Sequence, residues 1–134
     1  MNISDAARRS GLSTKTIRYY EQIELIAPVR RAANGYRDYD QATLTELRFV
    51  HRAREVGFSV EEARSLLQIY RDPGRQSLHV KNLVVEKCAE MEARIDKLRA
   101  MQEVLTLLAR RCSGDEGPEC AILDQLVMEG AGYE

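Results

Sequence analysis

The sequence predicts a mainly α-helical chain in three parts, and three observations support this fold class. Short amphipathic segments with helix-capping residues fill the first 75 positions, interrupted once by a turn-forming Asn34-Gly35 pair. From about residue 76 to 111, one helical pattern runs without Gly or Pro. A loop containing Gly and Pro and a short helical segment occupy residues 112–134. We therefore predict boundaries near residues 75 and 111.

Composition limits the class of protein. Hydrophobic residues make up 44% of the chain and charged residues 31%, which is typical of a globular protein. No apolar run approaches the roughly 20 residues that span a bilayer, and residues 1–10 lack the apolar core of a secretory signal. We therefore expect a cytoplasmic protein without membrane contact.

The net charge of −1 hides an uneven distribution. Residues 1–54 carry ten Lys/Arg against six Asp/Glu, whereas residues 76–134 carry seven against eleven. A basic front half and an acidic back half indicate separate roles for the two ends of the chain.

A helix-turn-helix is predicted at the start of the chain. An apolar face that includes Ala6 and Ala7 precedes Gly11, which is a suitable left-handed helix end. Ser13 or Thr14 can then N-cap a second helix. Small residues on the first helix allow the close crossing that a turn of three or four residues imposes.

A small β-hairpin, called the wing below, is predicted next. Pro28 prevents the second helix from continuing. Asn34-Gly35 is the strongest sequence signal for a hairpin with a two-residue turn.

Two further helices are predicted after the wing. Asp40 is a suitable N-cap for a helix that ends before Gly57. Ser59 and Glu62 form a capping box, which starts another helix to about Tyr70, where an Asp-Pro-Gly segment ends it. The first of these helices carries one apolar face, made of Leu44, Leu47, Val50 and Ala53.

The pattern over residues 76–111 predicts a single helix roughly 50 Å long at 1.5 Å per residue. Its apolar positions alternate by four and three, as in a coiled coil, with Gln102 as the polar exception. Because no second long helix is predicted in the chain, the partner must be another copy, and we predict a homodimer. These positions, called the apolar stripe below, are Val84, Cys88, Met91, Ile95, Leu98, Leu105 and Ala109.

Cationic and aromatic side chains are concentrated on the second helix and the wing. Arg and Lys reach phosphates or guanine edges, and Tyr supplies hydroxyl and stacking contacts, so this surface is predicted to bind double-stranded DNA. Tyr19 and Tyr20 are adjacent and cannot both face DNA, so one is expected to pack inside. The candidate DNA contacts are Lys15, Thr16, Arg18, Tyr19 and Tyr20 on the helix, with Arg30, Arg31, Tyr36 and Arg37 on the wing.

Three motifs precede the long helix in a distinctive order. They are Ile-Arg-Tyr-Tyr-Glu at 17–21, Asn-Gly-Tyr-Arg-Asp-Tyr at 34–39 and Gly-Phe-Ser-Val-Glu-Glu at 57–62. In this order they resemble the MerR family of transcriptional regulators, over nearly the whole chain. The resemblance implies a winged helix-turn-helix DNA-binding domain, an antiparallel dimerisation coiled coil and a C-terminal effector loop.

The resemblance also implies a mode of action. A dimer of this family sits on a promoter with an overlong spacer and bends it. With the effector bound, it underwinds the DNA so that RNA polymerase engages both promoter elements. RNA polymerase is therefore expected as an indirect partner, reached through the promoter.

Cys112 and Cys120 bracket a loop that contains two Gly and one Pro, which lets both sulfurs face one ion. An odd number of cysteines and no export signal argue against a structural disulfide. Thiolates suit soft d10 ions, and two sulfurs suit a linear monovalent ion such as Cu(I), whereas Zn(II) prefers four ligands. Cys120 also precedes the last short helix, whose dipole lowers the pKa of a thiol.

The resemblance narrows the choice of metal. The loop is similar to that of the copper-responsive branch of the MerR family, in which the two loop cysteines are the ligands. Divalent sensors of the family carry a further Cys at the start of the long helix, where this chain has Ser77. The resemblance therefore implies Cu(I) as the cofactor, with Ag(I) and Au(I) as substitutes, and activation of copper efflux or detoxification genes.

Other residues of the chain could be mistaken for ligands. Cys88 lies on the apolar stripe and is expected to be a small core residue, whereas His79 stays open as a third ligand. Oxygen ligands suit harder ions, so three loop carboxylates are interpreted as a solvated acidic rim: Asp115, Glu116 and Glu119.

Two alternatives for the function stay open. One is a regulator of the same fold that responds to divalent metals or organic effectors. The other is a thiol redox sensor in which Cys112 and Cys120 form a disulfide on oxidation. An enzyme is not predicted, because the chain shows no catalytic triad, paired catalytic carboxylates or phosphate-binding loop.

Overall fold

A computed structural model describes residues 1–27 and 31–128 of the chain. It divides into two compact units, Met1–Lys81 and Asn82–Glu134. The described residues form six α-helices and no strand. The helices are α1 (Ile3–Ser10), α2 (Thr14–Gln22), α3 (Gln41–Glu55), α4 (Val60–Arg71), α5 (Ser77–Arg111) and α6 (Ala121–Val127).

The predicted helix-turn-helix is present as α1 and α2. Gly11 ends α1 in the left-handed conformation (φ 82°), and its N–H donates to the carbonyl of Ala7. A Cβ at Gly11 would also lie 3.0 Å from Nε2 of His51, so both conformation and space favour glycine there. Ser13 is the N-cap of α2, because its hydroxyl accepts a hydrogen bond from the N–H of Thr16 at 3.1 Å.

Both helices that follow the wing begin where the capping residues predict. Asp40 caps α3 through the N–H of Thr43, and the predicted apolar face of α3 is buried in full. The capping box at the start of α4 is complete. The Ser59 hydroxyl accepts from the N–H of Glu62 at 3.1 Å, and the Glu62 carboxylate accepts from the N–H of Ser59 at 2.8 Å. Helix α3 packs against both α1 and α4, which forms the core of the first unit.

The wing is smaller than a hairpin with two strands and has a different turn. One isolated antiparallel bridge joins Arg31 to Arg37. Ala32 donates its N–H to the carbonyl of Tyr36 at 2.8 Å, and Gly35 donates to the carbonyl of Ala32 at 2.9 Å. The loop therefore spans three residues, 33–35, with Gly35 in the left-handed position (φ 84°), so the predicted two-residue Asn-Gly turn is wrong.

Helix α5 is the predicted long helix, and nearly all of its surface is exposed in the single chain. Of its residues, only Lys87 and Leu108 are buried. Members of the apolar stripe stay accessible, and Leu98 is 63% exposed. Cys88 is also exposed in the single chain, and its expected place in the core of a dimer seam stays a prediction.

No helix within residues 1–27 and 31–128 is both long and apolar enough to cross a membrane.

We expect Ile95→Glu combined with Leu98→Glu to convert the dimer to monomers. Each apolar side chain of the stripe contributes about 1.5–3 kcal/mol when it is buried against a partner, and the new carboxylates would be desolvated there. Sedimentation velocity measures the change. The matched control adds the same two carboxylates on the opposite face of α5, as Ala93→Glu with Ala100→Glu, and should stay dimeric. A stable dimer of the first variant would contradict the coiled coil.

Candidate DNA-reading surface and thiol loop

Helix α2 separates its side chains into two faces. Lys15, Arg18 and Tyr19 are spaced by three and four residues, share one face and are exposed, with Tyr19 at 50%. Ile17 and Tyr20 lie on the other face and are buried, Tyr20 at 5% exposure. The ring of Tyr20 belongs to the core of the first unit, so Tyr20 is the tyrosine of the adjacent pair that packs inside, and a contact between Tyr20 and DNA stays a prediction.

Thr16 has a local role at the start of α2. Its hydroxyl accepts a hydrogen bond from the hydroxyl of Ser13 at 2.8 Å, and its side chain is only partly exposed. The Thr16 side chain therefore supports the N-cap, and a contact between Thr16 and DNA stays a prediction.

The wing presents two of its predicted contacts to solvent. Tyr36 is 73% exposed, and Arg31 is exposed with its Nη1 donating to the carbonyl of Gly35 at 2.8 Å. Arg30 lies outside the described residues.

Arg37, a predicted DNA contact of the wing, forms an ion pair within the chain. Its Nε donates to Oε2 of Glu21 at 2.8 Å, and its side chain is 34% exposed. The charge of Arg37 is thus compensated by a carboxylate on α2.

Sequence reasoning missed the roles of two residues, Glu21 in this ion pair and Tyr39 beside it. Tyr39 is 1% exposed, and its hydroxyl donates to Oε1 of Glu21 at 2.6 Å. Burial, together with this hydrogen bond, raises the pKa of Tyr39 above its ordinary value, so the phenol stays neutral. Glu21 belongs to the motif at 17–21 and Tyr39 to the motif at 34–39. Neither residue type indicates from the sequence that a hydrogen bond connects the two motifs.

A cleft of about 330 Å³ lies between α2 and the wing. Its lining combines cations, an aromatic ring and polar side chains, which suits a phosphate or a base edge. The lining residues are Asn2, Ile3, Arg18, Asn34, Tyr36 and Arg37.

In the second unit, the structure brings the two predicted metal ligands together. The Sγ atoms of Cys112 and Cys120 lie 3.7 Å apart, and both residues are partly exposed. Cys120 is the N-cap of α6. Hydrogen bonds from the backbone N–H of Leu123 and from the Cys112 thiol lower the pKa of Cys120, which favours the thiolate that binds metals.

The loop between the thiols is organised by its own hydrogen bonds. The carboxylate of Asp115 accepts from the N–H of Gly117 at 2.9 Å and from the hydroxyl of Ser113 at 3.1 Å. Gly114 adopts the left-handed conformation (φ 68°) with open space around its Cα. Asp115 is exposed, as predicted, but it also shapes the loop.

The donor set fits a soft ion of low coordination number. Within the described part of the chain, no three His, Cys, Asp or Glu side chains gather in a way that could hold a metal. With bonds near the ~2.3 Å of zinc thiolates, a linear arrangement places the sulfurs roughly 4.6 Å apart. The thiols would therefore have to separate by roughly 1 Å, a movement that an exposed glycine-containing loop allows.

A helix-turn-helix with an exposed cationic face, a wing beside it and a long helix with an uncovered apolar stripe define a DNA-binding transcriptional regulator. Residues 1–69 match the family described as "MerR HTH family regulatory protein", and residues 44–108 match "MerR, DNA binding". The chain belongs to the MerR family of regulators, which bind promoter DNA as dimers and are not enzymes.

Individual relatives extend the likeness over almost the whole chain. The HTH-type transcriptional regulator CueR of Salmonella typhimurium is 45% identical over 126 residues, covering 94% of this chain and 91% of that protein. The heavy metal-dependent transcription regulator 2 of Rhizobium meliloti is 45% identical over 131 residues, covering 98% of this chain and 89% of that protein.

A solved structure agrees with the fold. The crystal structure of the transcription regulator PbrR691 from Ralstonia metallidurans, in complex with lead(II), superimposes with a TM-score of 0.84 at 29% identity. The alignment covers 94% of this chain and 98% of that chain.

We expect Arg18→Ala to weaken binding of a promoter duplex by about 1–3 kcal/mol, because Arg18 is exposed on the outer face of α2 and lines the cleft. Fluorescence anisotropy with a labelled duplex measures this loss. Lys97→Ala removes one exposed cation from α5 and should leave affinity nearly unchanged. Equal affinities for the two variants would show that α2 does not read DNA.

Proposed function

We propose that the chain is a copper-responsive transcriptional activator that binds Cu(I), or Ag(I) and Au(I), between Cys112 and Cys120. The dimer would act on promoters of copper efflux or detoxification genes. The observation that carries this proposal is the approach of the two Sγ atoms to 3.7 Å without a third ligand in the described residues.

At the coarser level, this is a metal-responsive regulator of the MerR family. Its relatives include a protein named for dependence on heavy metals and a regulator that was crystallised with lead(II). These relatives support a metal effector, and the choice of copper rests on the ligands of this chain and on its likeness to the copper-responsive branch.

Charge supports a monovalent ion. Two thiolates and a +1 ion leave a site charge of −1, and the backbone N–H groups near Cys120, which lower the pKa of its thiol, can stabilise that charge. A divalent ion would be neutralised by the two thiolates but would still need further donors. Ser77, which begins α5, carries no thiol to supply one.

At the DNA, the described residues suggest how the regulator holds a promoter. The exposed cations of α2 and the wing would contact phosphates and base edges in both the metal-free and the loaded state. Cys112 and Cys120 would hold the metal, which would link the loop's two thiolates, and by likeness to the family the loaded dimer would underwind the promoter spacer for RNA polymerase.

The closeness of the thiols also favours one rival, a redox sensor that forms a Cys112–Cys120 disulfide. Stoichiometric Cu(I) binding and transcription under anaerobic, reducing conditions separate the two functions. A redox sensor needs no metal, and it would stay silent under those conditions.

We expect Cys112→Ser and Cys120→Ser each to abolish copper-dependent transcription while the dimer still binds its promoter. Neither thiol lies in the first unit or on the apolar stripe, so the fold and the DNA surface do not depend on them. Transcription in vitro and a gel-shift assay read the two properties separately. Cys88→Ser is the matched control and should respond to copper normally. Loss of DNA binding by either metal-free loop variant would make these cysteines structural.

We expect Cu(I), Ag(I) and Au(I) to activate transcription, and Zn(II), Cd(II) and Pb(II) not to activate it, because two thiolates leave a divalent ion short of ligands. In the antiparallel dimer that the family resemblance implies, the start of α5 in one copy would approach the loop of the other, so Ser77→Cys should broaden the response towards divalent ions by adding a third sulfur from the second copy. Anaerobic titration with each metal, read by bound metal and by transcript, measures both effects. Activation of the unaltered protein by zinc at sub-micromolar free metal would overturn the assignment and make His79 a candidate ligand again.

A further inference from the structure

We propose that Glu21 is a positioning residue that fixes the wing against helix α2, and that it thereby sets the sequence specificity of DNA binding. The inference rests on the proposed DNA-reading surface, to which it adds a residue that itself contacts no DNA.

Glu21 uses both oxygens of its carboxylate to hold the wing. Oε2 accepts from Nε of Arg37 at 2.8 Å, and Oε1 accepts from the hydroxyl of Tyr39 at 2.6 Å. The side chain of Glu21 is only 11% exposed. A carboxylate withdrawn from water in this way, with a cation and a phenol as donors, is held in one geometry.

The backbone of the wing cannot provide this rigidity by itself. Among the described residues, the wing has one isolated bridge, between Arg31 and Arg37, and an isolated hairpin is at best marginally stable in water. Arg37 is one end of that bridge, so its ion pair to Glu21 ties the wing to α2 at the base of the loop. Tyr39 continues the attachment, because its ring is buried and its N–H donates to the carbonyl of Met1 at 2.8 Å.

Helix α2, which carries Glu21, is also held in place by hydrogen bonds from α4. Arg64 of α4 donates to the carbonyls of Ile23 and Glu24 at 2.9 and 3.1 Å, just beyond the end of α2. Arg71 of α4 donates to the carbonyl of Leu25 at 3.2 Å. Helix α2 is therefore anchored on the core of the first unit, and Glu21 extends that anchoring to the wing.

The placement of a carboxylate here has an electrostatic cost. Arg18 of α2 and Arg37 of the wing line the same cleft, and Glu21 compensates the charge of one of them. Simple electrostatics therefore predicts that removal of the Glu21 charge strengthens binding to every DNA. If Glu21 positions the wing, removal of its charge should instead weaken binding to the preferred DNA sequence, because the distance between Arg18 and Arg37 is then no longer fixed. The sign of the effect thus separates the two roles.

The test is Glu21→Gln in the full-length dimer, with Glu24→Gln as the matched control. Glu24 is an exposed carboxylate close to the end of α2, and its substitution changes the net charge equally. The probes are a duplex that the wild-type protein selects from a random library and a scrambled duplex of the same composition. We expect Glu21→Gln to lose about tenfold in affinity for the selected duplex, the usual effect of losing charge-assisted hydrogen bonds, and nothing for the scrambled one. Glu24→Gln should leave the ratio of the two affinities unchanged.

Two further variants distinguish positioning from loss of fold. Tyr39→Phe keeps the buried ring and removes one hydrogen bond. It should therefore lower the ratio of the affinity for the selected duplex to that for the scrambled duplex, but by less than Glu21→Gln does. Arg37→Gln should also lower the ratio, and combined with Glu21→Gln it should lower the ratio by less than the sum of the two single losses, because both substitutions remove the same ion pair. Thermal unfolding and Cu(I) uptake, measured on each variant, report whether the fold and the loop persist.

The outcomes are separable. If Glu21→Gln strengthens binding to both duplexes equally, or if Tyr39→Phe and Arg37→Gln leave the ratio unchanged, Glu21 does not position the wing and the inference is wrong. If Arg18→Ala also leaves DNA binding unchanged, the DNA-reading surface itself is wrong, and the fault lies with the proposed function. A selective loss in Glu21→Gln with normal unfolding and Cu(I) uptake supports the inference.

Discussion

The exposed apolar stripe of α5 is the constraint on which the rest of this protein depends. A 35-residue helix that buries only Lys87 and Leu108 leaves large apolar side chains such as Ile95 and Leu98 in water. Burial against a second copy would recover the hydrophobic stabilisation, and among the described residues no other helix has comparable length to cover this surface. A two-fold dimer then presents two DNA-reading surfaces and two thiol loops, which suits a pseudo-symmetric promoter site.

At both candidate sites, hydrogen-bond donors stabilise a negatively charged side chain. On the DNA side, Glu21 places a negative charge in a basic surface, and the two donors Arg37 and Tyr39 stabilise it. In the loop, the carboxylate of Asp124 opposes the thiolate of Cys120, but the N–H of Leu123 outweighs it and the pKa falls. At Glu21, the two donors fix the position of the carboxylate because they act at contact distance.

Features that depend on neighbours in the chain could be predicted from the sequence. The N-cap Asp40, the capping box of Ser59 with Glu62, and the left-handed Gly11 follow from contacts over two to four residues, and all are confirmed. For α2, the structure selects Ser13 from the two predicted N-caps, Ser13 and Thr14. The three-residue wing turn was not predicted, because Asn-Gly fits two turn types and the pairing of Ala32 with Tyr36 decides between them. The burial of Tyr20 rather than Tyr19 likewise needed the packing of α2.

The order of the residues is enough to predict the helices and their caps, the length of α5 and the presence of two cysteines around a Gly- and Pro-containing loop. Periodicity and capping act over a few residues, so they can be read from the order of the side chains. Only the tertiary structure decided that Glu21 joins Arg37 and Tyr39 and that two sulfurs eight positions apart approach to 3.7 Å. Those contacts depend on where folded elements and loops bring distant atoms, and no local pattern of residues encodes that distance.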